Sequence, residues 1–191
     1  MSRIRSTAWR PWLIWTACFL SFPAAGVAAG ATAGRVDSLA SALVAGLITG
    51  AVIGVGQSLA SSRRLDPRRW IPATTAGTGL GLALGAWAAD YDTSLSGLAT
   101  MGALTGLVLG SAQALALPVP ARHRAGWAAL ISALWSLGWT ITTLAGVDVA
   151  QQFSVFGSTG AITVSALSGL VLQLILPAHP APSRHPIGDL A

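Results

Sequence analysis

Lysine, glutamate and asparagine are missing altogether from this chain of 191 residues, which also has a single cysteine and a single tyrosine. Charge of either sign is scarce: 9% of residues are charged against 53% hydrophobic, where soluble domains carry about a quarter charged. So little polar surface excludes a fold that must cover itself in water. Cys18 stands alone inside the first apolar run, so no intramolecular disulfide can form. The charges that remain are arginines and aspartates, a bias expected of a GC-rich genome. Their net value of +5 could suggest nucleic acid, but the arginines sit in short clusters between apolar runs, the pattern of a membrane topology signal.

What is present is a set of long apolar stretches. A hydrocarbon core about 30 Å thick needs roughly 20 apolar residues in a helix. Six stretches meet that length: Trp12–Ala33, Leu39–Ala60, Trp70–Ala89, Leu95–Ala116, Trp127–Gly146 and Phe153–Leu176. None holds a charged residue. Arg3, Arg5, Arg10, Arg63, Arg64, Arg68, Arg69, Arg122, Arg124 and Arg184 fall on one side of the resulting threading and Arg35 alone on the other. The positive-inside rule then places both termini in the cytoplasm and Asp37, Asp90, Asp92 and Asp148 outside, in a bacterial cytoplasmic (inner) membrane.

The opening segment also has the form of a leader, with Arg3, Arg5 and Arg10, an apolar core from Trp12 to Phe22 and the small residues Ala31-Thr32-Ala33. Its apolar stretch runs on to Ala33 and matches the start of a repeat, so it reads as the first helix.

That repeat is the most specific signal in the chain. Gly46, Gly50 and Gly54 followed by Gln57 recur 56 positions on (102 − 46) as Gly102, Gly106 and Gly110 followed by Gln113. A third, altered copy has Ser165 and Gly169 followed by Gln173. Each unit opens on a tryptophan, Trp12, Trp70 or Trp127, giving units of about 12–60, 70–116 and 127–176. Eleven residues after each tryptophan stand Pro23, Gly81 and Gly138. A two-helix unit returns the chain to its starting side, so the copies share one orientation. The expected fold is all-α: a polytopic bundle of six helices, built as three tandem hairpins in parallel orientation. A basic stretch, 1–11, precedes it, and a disordered proline-rich tail, 178–191, follows it.

Small residues every fourth position line one helix face and let backbones approach closely, so the glycine stripes are expected to pack helices. Gln57, Gln113 and Gln173 each lie about a turn from the cytoplasmic end of an even-numbered helix. An unpaired amide in hydrocarbon costs several kcal/mol. They are therefore expected either to bond between helices, with a tryptophan indole as one candidate partner, or to ring a vestibule. Trp9, Trp12, Trp70, Trp127 and Trp87 read as an interfacial aromatic belt, and Trp135 with Trp139 as a packing pair. Arg63, Arg64, Arg68, Arg69, Arg122 and Arg124 are expected to set topology and to hold anionic lipid headgroups.

No charge lies at membrane depth, which removes most coupled-transport mechanisms. His123, His179 and His185 lie in a loop and the tail, without metal-ligand spacing, and no histidine lies in a span to activate a serine. The glycines follow a helical period, not a phosphate loop. No cofactor or metal is expected. Tryptophan-led helix, Gly-x-x-x-Gly-x-x-x-Gly-x-x-Gln and arginine-rich turn together resemble a group of uncharacterised bacterial multipass proteins built from repeated hairpins. Those often carry tryptophan after the glutamine, where this chain has Ser58, Ala114 and Leu174. The resemblance implies a fold and no activity. Two functions are consistent with these features. One is a non-enzymatic bundle acting by association in the bilayer, with itself or with another membrane protein. The other is a passive channel or small-solute transporter with a glutamine-lined vestibule.

Overall fold

The computed structural model describes residues 3–149 and 154–176, with side chains from residue 9 onward. Among these residues the regular structure is entirely helical: α1 (Arg3–Ala17), a 3-10 turn (Cys18–Leu20), α2 (Ser21–Ala33), α3 (Leu39–Ala60), α4 (Pro67–Ala88), α5 (Leu95–Ala116), α6 (Ala121–Leu144) and α7 (Ser158–Ile175). Five helical stretches are long and apolar enough to cross a membrane: Trp9–Ala33, Leu39–Ala60, Leu95–Ala116, Ala121–Leu144 and Ser158–Ile175. Helix α4 is as long as α3 and α5, at 22 residues, but less apolar. It has Arg68 and Arg69 in its first turn and carries Thr74, Thr75 and Thr78 near its middle. Those hydroxyls are satisfied inside the bundle: Thr75 donates to the Ile71 carbonyl at 2.8 Å and Thr78 to that of Thr74 at 2.7 Å.

From α2 onward consecutive helices pack side by side, α3, α4, α5 and α6 antiparallel to one another, and α7 closes on α1. Within a membrane, lipid tails are as apolar as leucine, so close van der Waals packing and interhelical hydrogen bonds hold such a ring together. Large apolar side chains such as Leu59, Leu80, Leu115 and Leu174 face outward from every side of the bundle.

The first apolar stretch is interrupted by the 3-10 turn, a feature hydropathy does not reveal. Pro23 has no N–H to offer the carbonyl of Phe19 four residues back. The chain tightens into the 3-10 turn, and Pro23 then sits in the first turn of α2, where no intrahelical donor is required. The main neighbour changes along this stretch: α1 lies chiefly along α7 and α2 chiefly along α3. An apolar cavity of about 400 Å³ opens beside α2, lined by Phe22, Gly26 and Val27 with Trp139, Val155 and Phe156.

Four helix starts differ from the hydropathy reading. Helix α4 begins at Pro67 and not Trp70, because the Asp66 carboxylate accepts the Arg68 N–H at 3.0 Å and Pro67 suits the first helical position. Helix α6 begins at Ala121 and not Trp127, so Arg122 and Arg124 lie on its first turn and not in a loop. The last helix starts at Ser158. Phe153 lies outside the described residues, but Ser154, Val155 and Phe156 run inward as a buried non-helical segment, with Thr49 and Ser154 hydroxyls 2.8 Å apart. Phe156 stacks on Phe22 and meets Trp135 and Trp139 edge-on, with ring centroids 5.2–6.0 Å apart. At the other end, α1 reaches back to Arg3, so the basic stretch 1–11 is largely helical. The proline-rich tail 178–191, with His179, Arg184 and His185, lies outside the described residues.

Candidate functional site

The glycine stripes lie between helices: those of α3 and α5 face the helix that follows each in the chain, and that of α7 faces α1. A β-carbon placed on Gly46 would come within 2.8 Å of the Thr78 carbonyl, on Gly50 within 2.6 Å of that of Thr74, and on Gly54 within 3.2 Å of Thr74 Cβ, all on α4. On α5, Gly102, Gly106 and Gly110 face α6, with the Trp135 carbonyl at 2.8 Å, that of Ile131 at 2.5 Å and Ala128 Cα at 2.9 Å from such a carbon. On α7, a β-carbon on Gly169 would come within 2.5 Å of Trp15 Cδ1 on α1, and Ser165 Oγ lies 3.9 Å from Cys18 Sγ in the 3-10 turn. Inside the α4–α5 hairpin a separate set, Gly77, Gly81 and Gly85, meets Leu109, Thr105 and Met101. Gly138 on α6 packs against the Phe156 ring instead.

At the arginine-bearing end of these contacts lies a chain of neutral hydrogen bonds. Trp127 Nε1 donates to Gln113 Oε1 at 3.2 Å. Gln113 Nε2 donates to Gln57 Oε1 at 3.3 Å and to Thr74 Oγ1 at 3.1 Å. Trp70 Nε1 donates to the same Gln57 oxygen at 3.0 Å. Helices α3, α4, α5 and α6 each contribute to this network, and Gln113, 1% exposed, uses both its oxygen and its nitrogen. The belt reading fails for Trp70 and Trp127: both rings are buried, 6.4 Å apart, because their indole N–H groups have acceptors indoors. Trp9 and Trp87 are exposed, and Trp135 and Trp139 are buried.

Gln173 stands apart from the other two. It follows Gly169 by four residues, whereas Gln57 and Gln113 follow their last glycine by three. One extra residue turns a side chain about 100° around a helix, and Gln173, though near Trp15, accepts no indole N–H. Trp12 donates instead to the Ala166 carbonyl at 2.9 Å and Trp15 to Ser168 Oγ at 3.2 Å. Gln173 Oε1 accepts from Arg64 Nη1 at 2.5 Å, and Arg64 Nη2 reaches the Leu176 carbonyl at 3.1 Å. A cation on the last carbonyls of α7 is favourably placed against the helix dipole. Partial burial holds the Arg64 guanidinium below its ordinary pKa, while leaving it the natural partner of those carbonyls.

Arg64 thus ties the α3–α4 turn to the end of α7. Replacing it with glutamine is expected to raise hydrogen–deuterium exchange about tenfold in the last turn of α7 and leave α4 and α5 unchanged. Equal protection in both proteins would show that the bridge is idle.

The other arginines differ in setting. Arg63, Arg68, Arg69 and Arg122 are exposed, and Arg124 is half-buried. Arg69 Nε lies 3.8 Å from Asp66 Oδ2. Sequence reasoning missed Thr74, Ser168 and the inward turn of Arg64. The Asp66-Pro67 pair, a cap and first helical position, could have located the start of α4. Nothing in the local sequence signals the direction of Arg64.

The site is built of amides, indoles and hydroxyls in mutual hydrogen bonds, an arrangement that fixes helix positions. Compared with family models, with curated proteins and with solved structures, the chain matches none of them.

Proposed function

We propose that this chain is a non-enzymatic multi-pass bundle of the bacterial cytoplasmic membrane that acts by association, with itself or with another membrane protein. The observation that carries this reading is the pairing of Gln57, Gln113, Trp70, Trp127 and Thr74 with one another. A bundle whose central amides are bonded internally acts through its exterior, and that exterior is an apolar girdle. The alternative, a glutamine-lined vestibule, requires those same amides to face water.

The bundle makes six crossings. Helices α3 and α5 are both antiparallel to α4, which spans about 33 Å at 1.5 Å per residue. Two crossings in the same sense can be joined only by a third. Both termini and the Arg63–Arg69 turn are cytoplasmic, by the arginine asymmetry. The three hairpins are copies of one unit in parallel orientation. Support comes from the equivalent bonds Trp70 to Gln57 and Trp127 to Gln113, and from stripes that each face the next odd-numbered crossing.

Mild-detergent extraction followed by crosslinking is expected to give an oligomer or a defined heteromeric partner. A lone monomer would count against association. In liposomes, Gln57→Leu and Gln113→Leu are expected to leave solute flux at the background of empty vesicles; flux in the wild type that either change alters would favour the vestibule.

A further inference from the structure

The α3–α4 turn and the α5–α6 connection enclose a cavity of about 520 Å³ at the arginine-bearing end of the bundle. Arg63, Arg64, Arg69 and Arg124 line it, with Asp66 as its one carboxylate, and Leu115, Leu117 and Pro118 supply an apolar wall. Pro120, which also lines the cavity, is the N-cap of α6 and offers no side chain to the first-turn N–H groups. Across the cavity, the Asp66 carboxylate is already engaged with the Arg68 N–H and near Arg69. The surplus of positive charge around the cavity, beside an uncapped helix end, calls for one kind of ligand.

We infer that this cavity binds a phosphate-bearing anion, with Arg63, Arg69 and Arg124 as its ligands and Leu115 and Leu117 positioned for the apolar part of an amphiphile. Arg64 borders the site, but its two terminal nitrogens are held by Gln173 and Leu176. Arg63 reaches the rim from a left-handed backbone, φ +66°, following Ser62 at +52°. Arg68 and Arg122 are equally basic and exposed but do not line the cavity. The inference rests on the membrane reading only for the side of the bilayer on which the site lies, because binding to detergent-solubilised protein is measured without reference to topology.

The test is native mass spectrometry of the full chain in detergent, titrated with phosphatidylglycerol, with phosphatidylcholine, and with inorganic pyrophosphate. One molecule of phosphatidylglycerol is expected to bind per chain in preference to phosphatidylcholine. If pyrophosphate binds alone or displaces the lipid, the phosphate source includes solutes; if only the lipid binds, it is the headgroup. The pair Arg63→Gln/Arg124→Gln is expected to weaken binding about 25-fold, roughly fivefold per arginine. The pair Arg68→Gln/Arg122→Gln removes the same charge and is expected to change it less than about twofold. Equal weakening by the two pairs, or no preference for a phosphate anion, overturns the site. Should the first pair misfold, the exposed Arg63→Gln alone is expected to give the fivefold loss, and unchanged affinity there is equally fatal. Reporter fusions at the Arg63–Arg69 turn test the topology separately.

Discussion

Gly106→Leu is expected to yield no folded bundle, and Gly106→Ala a destabilised one. A β-carbon at this position would stand 2.5 Å from the Ile131 carbonyl and 2.8 Å from both Ser132 Cα and Trp135 Cβ. Two of those three atoms are backbone, so no rotamer change relieves the overlap, and α5 and α6 must separate. Overpacking of this kind costs about 1–3 kcal/mol for small additions. It outweighs the roughly 1 kcal/mol that alanine gains over glycine in a helix. Leucine adds three more carbons and moves Gln113 away from Trp127. Gly30→Ala is the matched control, since nothing lies within 4 Å of a β-carbon there; it is expected to hold or raise stability by up to ~1 kcal/mol. Thermal melts in detergent, followed by tryptophan fluorescence, read all three. A Gly106→Leu protein melting with the wild type would refute the α5–α6 contact.

Gln113→Leu ranks next. The two side chains are similar in volume, so the change removes hydrogen bonds more than packing. It leaves the Trp127 indole N–H buried without an acceptor and takes the donor from Thr74 and Gln57. Interhelical bonds in membranes are worth about 0.6–2 kcal/mol each, and an orphaned buried donor costs about 1–3. The expected loss is on the order of 3 kcal/mol. Trp127→Phe, which loses the same bond from its other end, should be milder and non-additive with Gln113→Leu. A double-mutant cycle is expected to show coupling of about 1 kcal/mol. Strict additivity would mean the two side chains are neighbours without being bonded.

Hydropathy marks where lipid begins, and helix caps mark where helices begin; the two coincide only in part. The apolar stretches placed at about Leu39–Ala60 and Leu95–Ala116 coincide with the helices α3 and α5. Both are preceded by serines, Ser38 and Ser94, that cap the first turn. For α4 and α6 the polar first turn lies outside the apolar run, so hydropathy starts them late. The interruption of the first apolar stretch was signalled by Pro23 in the position of Gly81 and Gly138, but the change of main neighbour along it, from α7 to α3, is a tertiary fact. Packing was legible in the glycine spacing, because a four-residue period defines a face. Which helix that face would meet was not, since either neighbour of α3 or α5 satisfies the same pattern. The isolation of Gln173 could have been read from its extra residue of spacing, while the role of Arg64 depends on a contact 109 residues away in sequence.

The closure of α1 on α7 has a temporal side. Trp12 and Trp15 find their acceptors 154 and 153 residues downstream, so during translation the first helix must wait in the bilayer for the last. At roughly 5–20 residues per second that interval is about 8–30 s, during which lipid occupies the flank that α7 will take. Every other helix meets its neighbour as soon as the next one emerges. The α1–α7 seam is therefore the latest of these helix contacts to form, and synthesis halted before Ser158 leaves that seam open.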